Sequence, residues 1–182
     1  MRIVSGKFGS RKLVSVDGMT TRPTSDKVKG AIFSSLGNQF SSGTMLDCYS
    51  GTGNMALEAL SRGAKRAVMI EKNGEAVSVI IENVNSMGFE DRCRAYKNEA
   101  SRAVEILSRK REIFDIIFMD PPYKEELCTE TIMLIDKCQI LSERGIVLAE
   151  HHEKEKLTDE IGKLKKIDER NYGGKVISIY TY

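Results

Sequence analysis

The 182-residue sequence predicts an α/β fold with a seven-stranded, mostly parallel sheet, an antiparallel last strand and helices on both faces. Three observations support this prediction. Apolar β-like runs alternate with amphipathic helical runs through the middle of the chain. A glycine-rich turn follows the first of these runs. The last two β-like segments are separated by a link too short for a parallel connection.

A basic segment precedes the alternating pattern. Residues 1–30 contain seven Lys or Arg and two Asp, a balance of +5 that leaves −3 for the rest of the chain. Its glycines favour a short hairpin or an extended arm over residues 1–20, and a helix is expected to follow Pro23. Such a segment suits a polyanion partner, the alternative being a solvated tail with scattered lysines. The side chains expected to contact RNA are Arg2, Lys7, Arg11 and Lys12.

The middle of the chain alternates strands and helices. The predicted strands lie at residues 44–49, 66–71, 92–97, 114–120 and 145–150. The predicted helices lie at residues 54–62, 74–87, 100–110 and 125–138. Gly63 and Gly88 occupy positions where helix C-caps belong. This alternation favours parallel strands joined by crossover helices.

The C-terminal part breaks the alternation. Two β-like segments, residues 164–170 and 176–182, are joined by a short link that contains Gly173 and Gly174. A link of this length joins antiparallel strands. Seven strands with the last one reversed are typical of the Rossmann-like sheet of class I methyltransferases and differ from an all-parallel dehydrogenase sheet. We therefore expect one domain over residues 1–182, with residues 1–40 as a basic N-terminal extension.

The glycine-rich turn lies within residues 46–60, LDCYSGTGNMALEAL. Gly51 and Gly53 permit backbone conformations closed to other residues, and the following helix offers free N–H groups. Glu71, at the end of the next strand, can accept both hydroxyls of a ribose. A dinucleotide site would share these features, but Asp47 favours the ammonium group of S-adenosylmethionine over a pyrophosphate. The alternatives are a turn-capping role for Asp47 and a solvated strand-end position for Glu71.

A second motif, DPPY, ends the fourth predicted strand. Consecutive prolines fix the backbone and leave their carbonyls as rigid acceptors, which Asp120 supplements. Acceptors that hold the hydrogens of an aromatic NH2 group direct its lone pair toward a methyl donor. The aromatic ring of the motif offers a stacking surface, and the alternative is a Pro-Pro turn that only closes a strand. The predicted catalytic residues are Asp120, Pro121, Pro122 and Tyr123.

With these motifs the chain resembles the RsmD-type small-subunit rRNA guanine-N2 methyltransferases over nearly its whole length. The similar segments are MRIVSGKFGSRKL, TRPTSDKVKGAIFSSL, LDCYSGTGNMALEALSRGA, DPPY and the turn at Tyr172-Gly173. The family usually has Asp beside the adenine where this chain has Glu99, and Asn98 could substitute. The residues that the resemblance implies for holding S-adenosylmethionine, or for approaching its site, are Arg22, Thr24, Asp47, Tyr49, Gly51, Gly53, Glu71, Lys72, Asn98 and Glu99.

The resemblance implies methyl transfer to the exocyclic N2 of a guanine in 16S rRNA, within the small subunit or an assembly intermediate. The target base would leave its stack to reach the pocket. Two alternatives stay open: an adenine-N6 or other amine methyltransferase acting on DNA, RNA or protein glutamine, and a non-catalytic nucleotide- or RNA-binding α/β module. We expect a cytoplasmic monomer without a metal, because the four cysteines form no C-x-x-C pair, and without a membrane span.

Overall fold

A computed structural model describes residues 1–16, 26–37, 43–122 and 126–182 of the protein. Within these ranges it contains five helices and eight strands. The helices are α1 (Asp26–Ser35), α2 (Asn54–Ser61), α3 (Gly74–Met87), α4 (Ala100–Arg109) and α5 (Leu127–Cys138). The strands are β1 (Thr44–Asp47), β2 (Arg66–Glu71), β3 (Cys93–Lys97), β4 (Phe114–Met119), β5 (Leu141–His152), β6 (Glu160–Ile161), β7 (Leu164–Asn171) and β8 (Lys175–Thr181).

The strands form one sheet in the order β3-β2-β1-β4-β5-β8-β7-β6. The first five neighbours are parallel, and β8 runs antiparallel to both β5 and β7. The predicted mostly parallel sheet with a reversed last strand is confirmed. The predicted count of seven strands is wrong, because Glu160–Ile161 pairs with the start of β7 as an eighth strand. A two-residue strand is too short to show a period in the sequence.

Helices cover both faces of the sheet, as predicted. Successive residues of a strand point to opposite faces, so Met45 and Phe118 pack with α1, α2 and α3, whereas Leu46 and Ile117 pack with α4 and α5. We call these the first and second faces of the sheet. The central strands are apolar between their ends, apart from Asp115 in β4, because both faces are covered by helices.

The N-terminal segment, residues 1–16, folds back against the first face. An antiparallel bridge joins Arg2 to Lys12 and closes a hairpin-like loop. The loop docks on α2, where the amide of Lys7 donates to the Ser61 carbonyl at 2.8 Å. Ile3, near the start of the loop, is fully buried in the core that covers the first face. The basic residues of the chain start are therefore carried on a docked loop instead of a projecting arm.

A buried ionic network anchors this loop. The carboxylate of Glu58 in α2 is fully buried and accepts hydrogen bonds from the amides of Val4 and Ser5 at 2.6 and 3.0 Å. Arg62 donates to it at 2.7 Å, and the buried ammonium of Lys29 in α1 lies 3.4 Å away. Burial lowers the pKa of Lys29, although Glu58 opposes that effect. Because each buried charge has partners, the network holds the loop, α1 and α2 together.

The described ranges contain neither a helix suited to span a membrane nor a cluster of metal-ligating side chains. No helix there combines the length and the apolar character that a membrane span requires. No three His, Cys, Asp or Glu side chains in those ranges gather as a metal site would need.

Candidate active site

Acidic side chains gather at the carboxyl edge of the parallel strands. Asp47 ends β1, Glu71 ends β2, and Asp120 follows β4, the other neighbour of β1. In open α/β sheets, ligands bind beyond this edge. Burial, with smaller contributions from the nearby charges of Asp120 and Glu71, raises the pKa of Asp47 to about 7. The two predicted motifs therefore meet at one edge of the sheet, as expected for parallel strands, and we call the acidic region at this edge the cleft.

Asp47 is the most deeply buried member of this cluster, with 1% of its surface exposed. Its Oδ1 atom has no hydrogen-bond partner among the described residues. A buried carboxylate oxygen in that condition is costly, and a cationic ligand would relieve the cost. Asp47 thus fits the ammonium group of an amino-acid-like ligand.

The glycine turn follows Asp47 directly. Gly51 and Gly53 have φ values of 54° and 80°, in the left-handed region that favours glycine. A Cβ atom placed on Gly51 would meet no described atom within 4 Å, so this side of the turn is open to a ligand. A Cβ atom on Gly53 would lie 3.1 Å from the Met69 sulfur, so this glycine faces the packed core and not an open side. The two glycines therefore serve different purposes.

Glu71 is fixed by the backbone around it. Its Oε2 accepts from the Gly51 amide at 2.9 Å, and its Oε1 accepts from the Asn73 amide at 2.8 Å. Each oxygen keeps a further lone pair that a ribose hydroxyl can use. The Asn98 amide donates to the Glu71 carbonyl at 3.0 Å, which places the end of β3 alongside. Lys72 is exposed next to this group.

Tyr49 and Glu99 lie toward the second face. The Tyr49 hydroxyl shares a hydrogen bond of 2.9 Å with the Thr131 hydroxyl in α5, and the Tyr49 ring packs on the core of the second face. Burial raises the pKa of Tyr49 to about 12, with a small contribution from Glu99. Glu99 is exposed and precedes α4, and its amide donates to the Asn98 side chain at 3.0 Å. The cofactor roles of these residues stay predictions.

Asp120 carries the DPPY motif into the cleft. Pro121 after it is buried, and Pro122 is exposed. Burial and the charge of Glu150 raise the pKa of Asp120 and the charge of Lys175 lowers it, with a net value of about 7. A carboxyl group with such a pKa is close to half ionised at neutral pH.

Two residues of this cluster were missed by the sequence analysis. The Lys175 ammonium is ion-paired with Glu150 and lies 3.9 Å from the Asp120 carboxylate. Glu150 had a weak signal, since it is a charged residue at the end of the apolar run GIVLA. Lys175 had none, because its place depends on how β8 pairs with β5.

Several predicted site residues are placed elsewhere or not described. Arg22, Thr24 and Tyr123 lie outside the described residues, so their roles stay predictions. The basic side chains of the docked loop are on the surface and partly engaged. The Arg2 guanidinium donates to the Asp26 carboxylate at 2.7 Å, and that of Arg11 donates to the Ser86 carbonyl at 2.8 Å. The Lys7 ammonium lies 5.4 Å from the centre of the Phe8 ring, and Lys12 is exposed.

Comparison with known proteins adds to this geometry. The model of a family described as "Conserved hypothetical protein 95" matches residues 1–181. The chain belongs to this family. The RsmD-type resemblance stated from the motifs is thereby confirmed, since relatives named as small-subunit rRNA methyltransferases are among its matches.

Three similar proteins illustrate the match. "Putative rRNA methyltransferase YlbH" of Bacillus subtilis is 36% identical over 99% of this chain and 98% of its own length. "Ribosomal RNA small subunit methyltransferase D" of Escherichia coli K12 is 31% identical over 82% of this chain and 74% of its own. The solved structure titled "Putative methyltransferase yhhF from Escherichia coli" has a TM-score of 0.86 and 27% identity, covering 99% of this chain and 96% of that one.

Proposed function

We propose that the protein transfers the methyl group of S-adenosylmethionine to the exocyclic N2 of a guanine in small-subunit rRNA. The observation that supports this most is the proximity of two carboxyl groups, the buried one of Asp47 and the partly buried one of Asp120, at adjacent strand ends in one cleft. Asp47 suits the cationic ammonium group of an amino acid, and Asp120 suits an amine that becomes positively charged as it reacts. The names of relatives that match over 82–99% of the chain favour rRNA as the substrate.

The chain's own residues are suited to hold the methyl donor. Asp47 would accept the ammonium group, the open side of Gly51 would admit the amino-acid part, and Glu71 would accept the ribose hydroxyls. Bound S-adenosylmethionine supplies a methyl group made electrophilic by a sulfonium sulfur. An acidic cleft stabilises the positive charge of the sulfonium group more than a neutral cleft would.

Asp120 and the Pro121 carbonyl would orient the acceptor. An aromatic NH2 is a weak nucleophile because its lone pair is delocalised into the ring. Two acceptors that hold its hydrogens favour a pyramidal nitrogen, whose lone pair forms the new N–C bond as the C–S bond breaks. Asp120 stabilises the positive charge that develops on nitrogen, and the extra proton then leaves to solvent.

Other attributes of the protein are proposed alongside this activity. We propose a single domain over residues 1–182 with residues 1–40 as its N-terminal extension, acting as a monomer in the cytoplasm. The docked basic loop would contact the rRNA of the small subunit or of an assembly intermediate. Its exposed Lys12 and the surface position of Lys7 leave charge available for phosphates.

The test is methylation of small subunits from a strain that lacks the protein. We expect purified protein and S-adenosylmethionine to add one methyl group, which mass spectrometry of nuclease digests identifies as N2-methylguanosine. Asp120→Asn should lower kcat by about 100-fold or more, because it removes the charge beside the reacting amine. Its affinity for S-adenosylmethionine, measured by calorimetry, should stay close to that of the wild type.

Asp115→Asn is the matched control. Asp115 lies near the start of β4, the strand that Asp120 follows, and therefore at the amino ends of the parallel strands. There its carboxylate accepts a hydrogen bond from the Thr44 amide at 2.8 Å. This variant should methylate at the normal rate. N6-methyladenosine as the product, or normal transfer by Asp120→Asn, would contradict the proposed function.

A further inference from the structure

We infer that Lys175 is a positioning residue for the proposed methyl transfer, holding the Asp120 carboxylate in place and charged through an ion-pair chain that ends on Glu150. This inference rests on the proposed function and extends it to two residues that have no place in the glycine turn or the DPPY motif. It concerns how the site prepares its acceptor before any base arrives.

The three side chains come from three neighbouring elements. Glu150 lies near the carboxyl end of β5, Lys175 begins β8, and Asp120 follows β4. In the antiparallel pairing of β5 with β8, Lys175 lies opposite His152, two residues beyond Glu150. Residues two apart on a strand share a face, so Lys175 and Glu150 meet diagonally on the same side of the sheet.

The exposure of the three side chains increases from Glu150 through Lys175 to Asp120. The Glu150 side chain is fully buried, that of Lys175 is 18% exposed, and that of Asp120 is 27% exposed. A buried carboxylate that loses its counter-charge is strongly destabilising, so Glu150 fixes the ammonium group. That ammonium lies 3.9 Å from the Asp120 carboxylate, on the cleft side of the chain. Glu150 therefore acts as an inner anchor, and Lys175 transmits its position to Asp120.

The charges around Asp120 oppose one another. Among the described residues, the titratable groups that face it are Asp47 from β1, Cys128 from α5, Glu150 from β5 and Lys175 from β8. Burial raises the pKa of Asp120, Glu150 raises it further, and Lys175 lowers it. Removing the lysine and removing the glutamate should consequently move the pKa of Asp120 in opposite directions.

The experiment measures that pKa directly and then the rate. The 13C-carboxyl resonance of Asp120, assigned by its loss in Asp120→Asn, is titrated in the full-length protein. We expect Lys175→Met to move the midpoint up by about one pH unit and Glu150→Gln to move it down. With the ionised fraction of Asp120 falling from about one half to about one tenth, kcat of Lys175→Met at pH 7 should drop about fivefold and recover as pH rises. Lys175→Arg should restore most of the rate.

Lys166→Met is the matched control, because Lys166 also lies between two carboxylates, Asp159 and Glu169, but in β7. It should leave both the Asp120 midpoint and the pH profile of kcat unchanged. A Lys175→Met variant with an unshifted midpoint, or with a rate lowered equally at every pH, overturns the role of Lys175 and leaves the proposed function standing. Correct titration shifts in a protein that methylates another atom overturn the guanine assignment instead.

Discussion

Under the proposed function, the single residue Asp47 would select the ligand of the glycine turn. It is 1% exposed, and one of its oxygens lacks a partner among the described residues, so the fold bears an unfavourable carboxyl group there. Its pKa of about 7 results mainly from burial, with Asp120 and Glu71 adding repulsion. A ligand cation removes this penalty, whereas a pyrophosphate would increase it. The distinction from a dinucleotide site therefore lies in one side chain.

The raised pKa of Asp47 predicts a pH-dependent affinity for S-adenosylmethionine. Above pH 7 the carboxylate is ionised and attracts the ammonium group; below pH 7 it takes up a proton, and affinity should fall by up to about tenfold per pH unit. Calorimetry between pH 6 and 8 measures the trend. The Asp120→Asn variant should keep the trend, which separates Asp47 from the other group with a pKa near 7.

Asp47→Asn should bind more weakly and with little pH dependence over this range. Asp91→Asn, at an exposed position, is the control and should behave like the wild type. A steep pH dependence that survives Asp47→Asn would assign the effect to another group.

At the scale of elements, the docked N-terminal loop depends on one glycine. Gly6 has a φ of 83°, and a Cβ atom added to it would lie 2.0 Å from the Ser61 carbonyl oxygen. The same carbonyl accepts the Lys7 amide, and the Ser61 hydroxyl accepts the Phe8 amide at 3.0 Å. The loop can therefore approach α2 only because this position has no side chain.

Gly6→Ala should undock the loop or lower the free energy of unfolding by about 1–3 kcal/mol. Hydrogen exchange at the Lys7 and Phe8 amides should accelerate, since both lose their Ser61 acceptors. Gly9→Ala is the control, because the nearest atom to its added Cβ is 3.5 Å away, an ordinary contact. Equal behaviour of the two variants in thermal unfolding and exchange would show that close packing at Gly6 is unimportant.

At the scale of the whole molecule, opposite charges are separated between a basic loop and an acidic cleft. The loop reaches the glycine turn through Asn83, whose side-chain amide donates to the carbonyls of Val14 and Thr52 at 3.1 and 3.2 Å. Phosphates bound to the loop would thus lie beside the cofactor turn, while the acidic cleft repels them. Such a pattern favours contact with the RNA backbone around a single flipped base.

Lys7 and Lys12 changed together to Ala should weaken binding to the small subunit and reduce its dependence on salt. Each lost phosphate contact should lower the slope of log affinity against log salt by about 0.7–0.9. Affinity for S-adenosylmethionine should not change, because neither side chain enters the cleft. Lys163 and Lys165, in the turn between β6 and β7 and at the start of β7, provide the matched double variant. An unaltered salt slope for the loop variant would remove the loop from the RNA interface.

Features of this fold that depend on residues close together in the sequence could be predicted, and features that depend on residues far apart could not. The parallel direction of the central strands follows from the alternating pattern, and the glycine turn and Asp120 converge because parallel strands share one carboxyl edge. Strand β6 was missed since two residues carry no period. The ion pair of Lys175 with Glu150 was missed because it joins residues 25 apart through the register of β5 and β8, which no local pattern encodes.

The docked loop also bears on how the chain acquires its shape during synthesis. Its hydrogen-bond partners in α2 and α3 follow it by 53 to 75 positions, so the earliest-made segment lacks these partners until the two helices have been synthesised. At about 5–20 residues per second, that wait lasts several seconds. A nascent chain that stops short of α2 would leave the amides of Val4 and Ser5 without the Glu58 carboxylate. One that stops short of α3 would leave the Val14 amide without Asn83 and the Arg11 guanidinium without the Ser86 carbonyl, so the synthesis of α3 completes the docking contacts of the loop.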